Sequence, residues 1–187
     1  VVISPLIALM ADQVYSLTKT GIPSAFINST MHQKEIDETI EKCRAGAYKL
    51  LYIAPERLES DRFIENMKQF NISFFAVDEA HCISEWGHDF RPSYMKIRDV
   101  IESLGDFPVI ALTATATPEV QEDIIYQLRL KNTAKFIKGF DRPNLSYITE
   151  YCSDKLERIK EIYEEDSGGS TIIYCGTRKK VESIASG

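Results

Sequence analysis

Three kinds of feature are missing from this sequence, and each absence narrows the classes of protein to which it can belong. Its four cysteines form no C-x-x-C pair, so we expect reduced thiols in a cytoplasmic setting rather than a zinc site or a disulfide framework. No apolar run approaches the length of a bilayer span, so no membrane role is expected. A basic surplus is also lacking. The formal net charge of −6 argues against a protein that binds nucleic acid over its whole surface, so any contact with nucleic acid must be local.

The chain does contain short apolar runs that alternate with stretches of helical periodicity and are joined by short loops. Its 187 residues, 44% hydrophobic and 27% charged, suffice for one well-filled domain or for one domain and part of another. Alternation of this kind predicts an α/β fold with a mostly parallel sheet and helices on both faces. The predicted strands of this first series are 1–4, 24–28, 49–54, 72–77, 107–112 and 135–137.

A second strand and helix series follows a turn-rich connector, GFDRPN, at residues 139–144. We predict strands at 145–151 and 171–175 and a helix at 154–164, with Leu156, Ile159 and Tyr163 facing inward. A first domain over residues 1–141 and a second beginning at 142–187 are therefore expected.

Two adjacent acids, Asp78 and Glu79, come directly after the apolar run 72–77. The carboxyl end of a buried parallel strand is where ligands bind in open α/β sheets. There an Asp can hold Mg²⁺ through water, and a neighbouring Glu can orient or deprotonate an attacking water for phosphoryl transfer. The alternative is a solvated strand end or helix start, where acids are favoured in any protein.

Aromatic residues stand in a polar, Gly-containing stretch just beyond these acids. Trp86 and Phe90 could stack on bases, since one base on a ring is worth about 1 to 3 kcal/mol in any sequence. Arg91 could bind a phosphate or pair with an acid. The alternative for both rings is core packing, which the polar neighbours disfavour.

The string Asp78-Glu79-Ala80-His81 is the DEAH form of the second motif of superfamily 2 helicases, and the following CISEWGHDFRPSY resembles the aromatic-rich loop of RecQ helicases. This resemblance implies a RecA-like domain of the P-loop NTPase type, the start of a second RecA-like domain, and the use of ATP and Mg²⁺. It also implies catalytic roles for Asp78, Glu79 and His81. The DNA contacts that it implies in the loop are Ser84, Trp86, His88, Phe90 and Arg91.

Four further stretches resemble other helicase motifs in the expected order. Residues 3–14 resemble motif Ia, in which Ser4 would face a phosphate, and residues 52–58 resemble motif Ib, in which Arg57 would lie near the DNA backbone. Residues 111–117 resemble motif III, in which Thr113 or Thr115 would couple to His81. Residues 171–185 resemble motif IV, in which Thr177 and Arg178 would contact DNA. Each also has an ordinary explanation: a capped helix, a strand end, a threonine cap on the next helix, or a solvated basic face.

The phosphate loop G-x-G-K-[ST] is absent from the 187 residues, and SGGST at 167–171 is no substitute because it lacks a Lys and precedes a strand. The missing loop leads us to expect a fragment that is inactive alone. The resemblance implies that its parent is an ATP-dependent DNA helicase of 3′ to 5′ polarity, acting on single-stranded and forked DNA in recombination and repair. The expected location is the bacterial nucleoid or a eukaryotic nucleus, and no protein partner is indicated. Another superfamily 2 motor, such as an RNA helicase, and a non-catalytic nucleic-acid-binding remnant are the alternatives.

Overall fold

Five short parallel strands and seven α-helices make up the regular structure of the residues that the computed structural model describes, 1–139, 143–165 and 168–186. The strands are β1 (Val2–Ile3), β2 (Ser24–Ile27), β3 (Leu50–Ile53), β4 (Phe75–Val77) and β5 (Val109–Ala111). The helices are α1 (Ile7–Lys19), α2 (Gln33–Arg44), α3 (Asp61–Met67), α4 (Ile97–Leu104), α5 (Pro118–Gln127), α6 (Lys155–Glu165) and α7 (Arg178–Ala185). Short 3₁₀ helices span Pro55–Glu59, Ala80–Ile83 and Pro92–Lys96. None of the helices in the described ranges is both long enough and apolar enough to cross a membrane.

The strand order in the sheet is β2-β3-β1-β4-β5, and every pairing is parallel. β1 lies between β3 and β4, with Val2 in register with both Tyr52 and Ala76. The carboxyl ends of β1 and β4 therefore lie side by side. This register brings the residue after β1, Ser4, next to the residue after β4, Asp78.

The two faces of the sheet bury different helices. Met10 of α1 packs with Tyr52 and Ala54 on one face. The larger core on the other face joins the strands to α2, α3, α4 and α5, and the fully buried Phe75 and Val77 belong to it. The predicted parallel sheet with helices on both faces is confirmed.

Local sequence explains where several helices begin and end. α4 carries its apolar residues, Ile97, Val100, Ile101 and Leu104, at helical spacing and turns that stripe toward the core. α1 stops just before Gly21, which adopts a φ of +81°, a left-handed conformation that Gly tolerates at a helix end. The sequence had predicted Gly21 as this stop signal.

The chain divides into two compact units, Val1–Lys135 and Phe136–Gly187. The sheet, helices α1 to α5 and the buried core belong to the first unit. The second contains α6 and α7, and neither helix has a buried residue. The predicted domain boundary, between residues 141 and 142, falls outside the described residues.

Three predicted strands, 135–137, 145–151 and 171–175, are not strands in the structure. A strand is held by hydrogen bonds to a neighbouring strand, and among the described residues these segments have no such partner. The inward packing predicted for α6 is also not observed, since Leu156 and Ile159 are only half-buried and Tyr163 is 57% exposed. The start of a second RecA-like domain therefore remains a prediction.

Candidate functional site

Asp78 lies directly beyond β4 at the carboxyl edge of the sheet, as predicted, and both of its carboxylate oxygens accept hydrogen bonds. The Ser4 hydroxyl donates to Oδ2 at 3.1 Å, and the Glu79 backbone N–H donates to Oδ1 at 3.0 Å. Ser4 is only 1% exposed. In this conformation Ser4 is buried beside β3 and its hydroxyl is directed to Asp78, and its contact with a nucleic-acid phosphate remains a prediction.

The oxygens of Asp78 and Ser4 are the hard ligands that Mg²⁺ prefers in proteins. Asp78 is half-buried, so solvent reaches this edge of the sheet. A half-buried carboxylate beside a hydroxyl fits a cation that keeps several of its waters. The arrangement is therefore compatible with the magnesium role predicted for Asp78.

Glu79 adopts the left-handed conformation, with φ 47° and ψ 44°, although it has a side chain. Such a conformation costs a non-Gly residue on the order of 1 kcal/mol or more, and it is retained where the surroundings fix the backbone. Its carboxylate Oε2 lies 3.3 Å from Nδ1 of His81. Two of the three side chains predicted as catalytic, Glu79 and His81, are therefore in direct contact.

His81 is only 5% exposed and is joined to the end of β5. Its Nδ1 is hydrogen-bonded to the Thr113 hydroxyl at 2.9 Å. The same hydroxyl accepts a hydrogen bond from the Thr115 backbone N–H at 3.2 Å. Of the two threonines predicted to couple to His81, Thr113 contacts it through its side chain. Thr115 contacts only Thr113 in this group, through its backbone N–H.

The stretch 84–91, here called the aromatic segment, contacts the acids through two stacked imidazoles. The rings of His88 and His81 lie 4.7 Å apart with an interplanar angle of 15°. Trp86 is 81% exposed, which rules out core packing for its indole, and Phe90 is half-buried. An exposed indole is thus carried on a segment that also contacts His81.

A tight turn positions Trp86 at the surface. Ser84 is fully buried and its hydroxyl accepts a hydrogen bond from the Trp86 backbone N–H at 3.2 Å. A Cβ at Gly87 would lie 2.8 Å from the His81 carbonyl oxygen, so only Gly fits this close approach. The buried Ser84 side chain therefore shapes the turn, and its contact with DNA remains a prediction.

Asp89 links the aromatic segment to the buried Cys82. The Arg91 guanidinium donates to Asp89 Oδ2 at 3.0 and 3.3 Å, and the Cys82 thiol donates to the same oxygen at 3.7 Å. The hydrogen bonds from Arg91 hold the pKa of Asp89 below its usual value, and burial raises the pKa of Cys82 to about 11. His81, Cys82 and Asp89 have the residue types of a metal site, but a neutral thiol and a carboxylate already paired with Arg91 make them a hydrogen-bonded cluster.

Tyr94 is a contact to the acids that the sequence did not reveal. It is fully buried, and its hydroxyl donates to the backbone carbonyl of Asp78 at 2.9 Å. A tyrosine in an apolar helical stripe looks like any other core residue in the sequence. The sequence predicted that Arg91 could pair with an acid but did not identify Asp89, although opposite charges two residues apart were a usable signal.

The remaining residues predicted to contact DNA differ in whether their side chains already form hydrogen bonds within the protein. The Arg57 guanidinium donates to the Asn28 carbonyl and thereby ties the 3₁₀ helix after β3 to the end of β2. In the second unit, the Thr177 hydroxyl accepts a hydrogen bond from the Lys180 backbone N–H and caps α7, and Arg178 is exposed. Contacts of Arg57, Thr177 and Arg178 with DNA remain predictions.

Comparison with family models and with known proteins assigns the chain to a protein family. The model described as DEAD/DEAH box helicase matches residues 1–124, which include β1 to β5 and the acids. The chain belongs to the DEAD/DEAH box helicase family. Within this family it is 47% identical over 185 residues to the ATP-dependent DNA helicase RecQ of Bacillus subtilis and 44% identical over 184 residues to that of Haemophilus influenzae. These alignments cover 98% of the chain but only 31% and 30% of the two relatives.

A solved helicase structure shares the fold of this DEAD/DEAH box helicase chain. The Mycobacterium smegmatis helicase Lhr, solved with single-stranded DNA and AMP-PNP, matches 99% of the chain and 27% of its own length with a TM-score of 0.63. At 19% sequence identity this match shows the fold alone. The predicted RecA-like fold class is confirmed.

Proposed function

We propose that this chain is part of an ATP-dependent DNA helicase of the RecQ type, which couples ATP hydrolysis to the separation of duplex DNA with 3′ to 5′ polarity. Membership of the DEAD/DEAH box helicase family and the 47% identity to a relative named RecQ support the proposal. Its substrates would be single-stranded and forked DNA. Its place would be recombination and repair of chromosomal DNA, in a bacterial nucleoid or a eukaryotic nucleus.

The observation that carries this proposal is that the segment bearing an exposed indole also contacts the residues around the acids. Trp86 is exposed, His88 of the same segment stacks on His81, and His81 contacts Glu79 and Thr113. Stacking of a base on Trp86 would therefore be transmitted through the aromatic segment to the residues that act on the nucleotide. A sheet edge that only bound a phosphate would need no such connection to an exposed aromatic ring.

Each residue of the site has a distinct part in the proposed reaction. Asp78 would hold Mg²⁺ through water, and the ion would supply positive charge for the phosphates of ATP. Glu79 would orient the attacking water and accept its proton. His81 and Thr113 would report the state of the nucleotide to the rest of the motor. Such a reaction also requires a phosphate loop, and the 187 residues contain no G-x-G-K-[ST] sequence.

The decisive test is the Trp86→Ala substitution in the full-length protein. We expect stimulation of ATP hydrolysis by single-stranded DNA to fall about tenfold or more, because one stacked base contributes about 1 to 3 kcal/mol. The basal ATPase rate should stay nearly constant, since the contacts of the Asp78 and Glu79 carboxylates with described residues do not involve the indole. Tyr126→Ala is the matched control, because Tyr126 is 77% exposed on α5 outside the site. Equal losses of basal and stimulated rates would contradict the coupling role of Trp86.

The same assay separates the alternatives. Stronger stimulation by single-stranded RNA than by DNA would indicate an RNA motor instead. A full-length protein that binds single-stranded DNA but hydrolyses no ATP would indicate a non-catalytic nucleic-acid-binding protein. Stimulation by DNA together with unwinding of a forked duplex is the result that the proposal requires.

A further inference from the structure

Tyr94 follows the aromatic segment in the chain and contacts the backbone of Asp78. Its ring is fully buried in the larger core, and its hydroxyl donates to the Asp78 carbonyl at 2.9 Å. Burial raises the pKa of Tyr94, so its hydroxyl keeps its proton and remains a donor throughout the working range. The Tyr94 backbone N–H in turn donates to the Arg91 carbonyl at 2.9 Å. Tyr94 therefore ties the C-terminal end of the aromatic segment to the backbone of the acids.

The Asp78 carbonyl belongs to the peptide group that precedes Glu79, whose left-handed backbone needs external support. On one side of Glu79, the Tyr94 hydroxyl holds that carbonyl. On the other side, the Ala80 backbone N–H donates to the Leu112 carbonyl at 2.9 Å. Because both flanking peptides are anchored, the φ of 47° at Glu79 is fixed by its surroundings. Removing one anchor should allow the backbone to relax toward a commoner conformation.

We propose that Tyr94 is a positioning residue. Its hydroxyl, bonded to the Asp78 carbonyl, holds Glu79 in its left-handed conformation and so directs the Glu79 carboxylate toward the water that attacks the phosphate. The inference rests on the proposed function, in which Glu79 acts on that water. It adds a second connection between the aromatic segment and the acids, distinct from the stacked His81 and His88. A displacement of the segment by DNA would reach Glu79 through Tyr94.

The kinetic test is Tyr94→Phe in the full-length protein, which removes one oxygen and keeps the ring. We expect kcat for ATP hydrolysis to fall about tenfold, the effect of one hydrogen bond of ordinary net strength. KM for ATP and the Kd for single-stranded DNA should stay unchanged, because Tyr94 is buried and touches neither ligand. Tyr48→Phe is the matched control, since Tyr48 also packs against the core and its hydroxyl makes no hydrogen bond to the described residues. A kcat for Tyr94→Phe equal to that of the control would overturn the proposal.

The structural test does not depend on activity. Crystal structures of the full-length wild-type protein and of Tyr94→Phe should differ at Glu79, whose φ should leave the positive region in the variant. A variant in which Glu79 keeps a positive φ would overturn the proposal even if kcat fell. If the wild-type protein hydrolysed no ATP, the proposed function would fail, and the backbone comparison would still decide whether Tyr94 holds Glu79.

Discussion

At the scale of single residues, Asp89 determines whether the positive charge of Arg91 is free for the DNA contact predicted for it. The Arg91 guanidinium is bound to Asp89 by two hydrogen bonds, and the Cys82 thiol donates to the same oxygen. A nucleic-acid phosphate must therefore compete with Asp89 for Arg91. Both groups of the ion pair are accessible to solvent, so this competition is weak and the guanidinium can exchange partners.

Removing the guanidinium with Arg91→Ala should raise the pKa of Asp89, because the hydrogen bonds from Arg91 are the largest cause of its depression. A carboxyl whose folded pKa is depressed stabilises the fold above its unfolded pKa, and that contribution is lost as the pH falls through the folded pKa. The variant should therefore lose part of the acid-side dependence of stability. NMR titration of the Asp89 carboxyl carbon measures the pKa directly. Arg62→Ala, which breaks a remote exposed pair with Asp37, should leave the titration of Asp89 unchanged.

At the scale of secondary structure, the start of α5 shows that the threonines after β5 have separate roles. Thr113 contacts His81, whereas Thr117 is the N-cap of α5 and accepts a hydrogen bond from the Val120 backbone N–H at 3.4 Å. Pro118 occupies the first turn, where a missing N–H costs nothing. The helix-cap explanation of the threonine stretch thus applies to Thr117, whereas the coupling role of Thr113 remains a prediction.

Loss of this cap should weaken α5 locally. We expect Thr117→Ala to lower the free energy of unfolding by about 1 kcal/mol, the usual cost of removing an N-cap side chain. Urea denaturation of the polypeptide, followed by far-UV circular dichroism, measures the change. Thr133→Ala is the control, since Thr133 is exposed outside any helix or strand and should change nothing. A cap substitution no more destabilising than the control would show that Pro118 and the buried Val120 suffice to start α5.

Elements with a strong local signal could be predicted from the sequence. Most contacts between distant elements could not, and the contact of Thr113 with His81 was anticipated only through the family resemblance. The strand predicted at 24–28 is observed as Ser24–Ile27, and the helix stop at Gly21 is observed, because periodicity and turn residues act locally. The bonds from Ser4 and Tyr94 to Asp78 depend on which strands become neighbours and on how a core residue is oriented. The predicted strands 145–151 and 171–175 failed for the same reason, since an apolar run becomes a strand only beside a partner.

At the scale of the whole molecule, burial is distributed unequally between the two units. Every fully buried side chain among the described residues belongs to Val1–Lys135. Within that unit β1, β3 and β4 each have two neighbouring strands, whereas β2 and β5 lie at the edges. Ile110 of β5 is in register with Ala76, on the face that α1 covers farther along the sheet, yet it is 47% exposed. The most stable part of the molecule should therefore be the centre of the sheet.

Hydrogen exchange should reproduce this order of stability. In the 187-residue polypeptide, amides of β1, β3 and β4 should exchange slowest, because they open only when the first unit unfolds. Amides at 145–151 and 171–175 should exchange almost as fast as an unfolded chain, since the described residues there are exposed or at most half-buried and lack a strand partner. Mass spectrometry of peptic peptides measures the exchange rates of both groups of amides in one sample. Peptides from α1, which includes the exposed Tyr15, should show an intermediate rate because that helix packs on the sheet. Strong protection at 145–151 would mean that this segment does pair as the sequence predicted, and that the second unit has a sheet of its own.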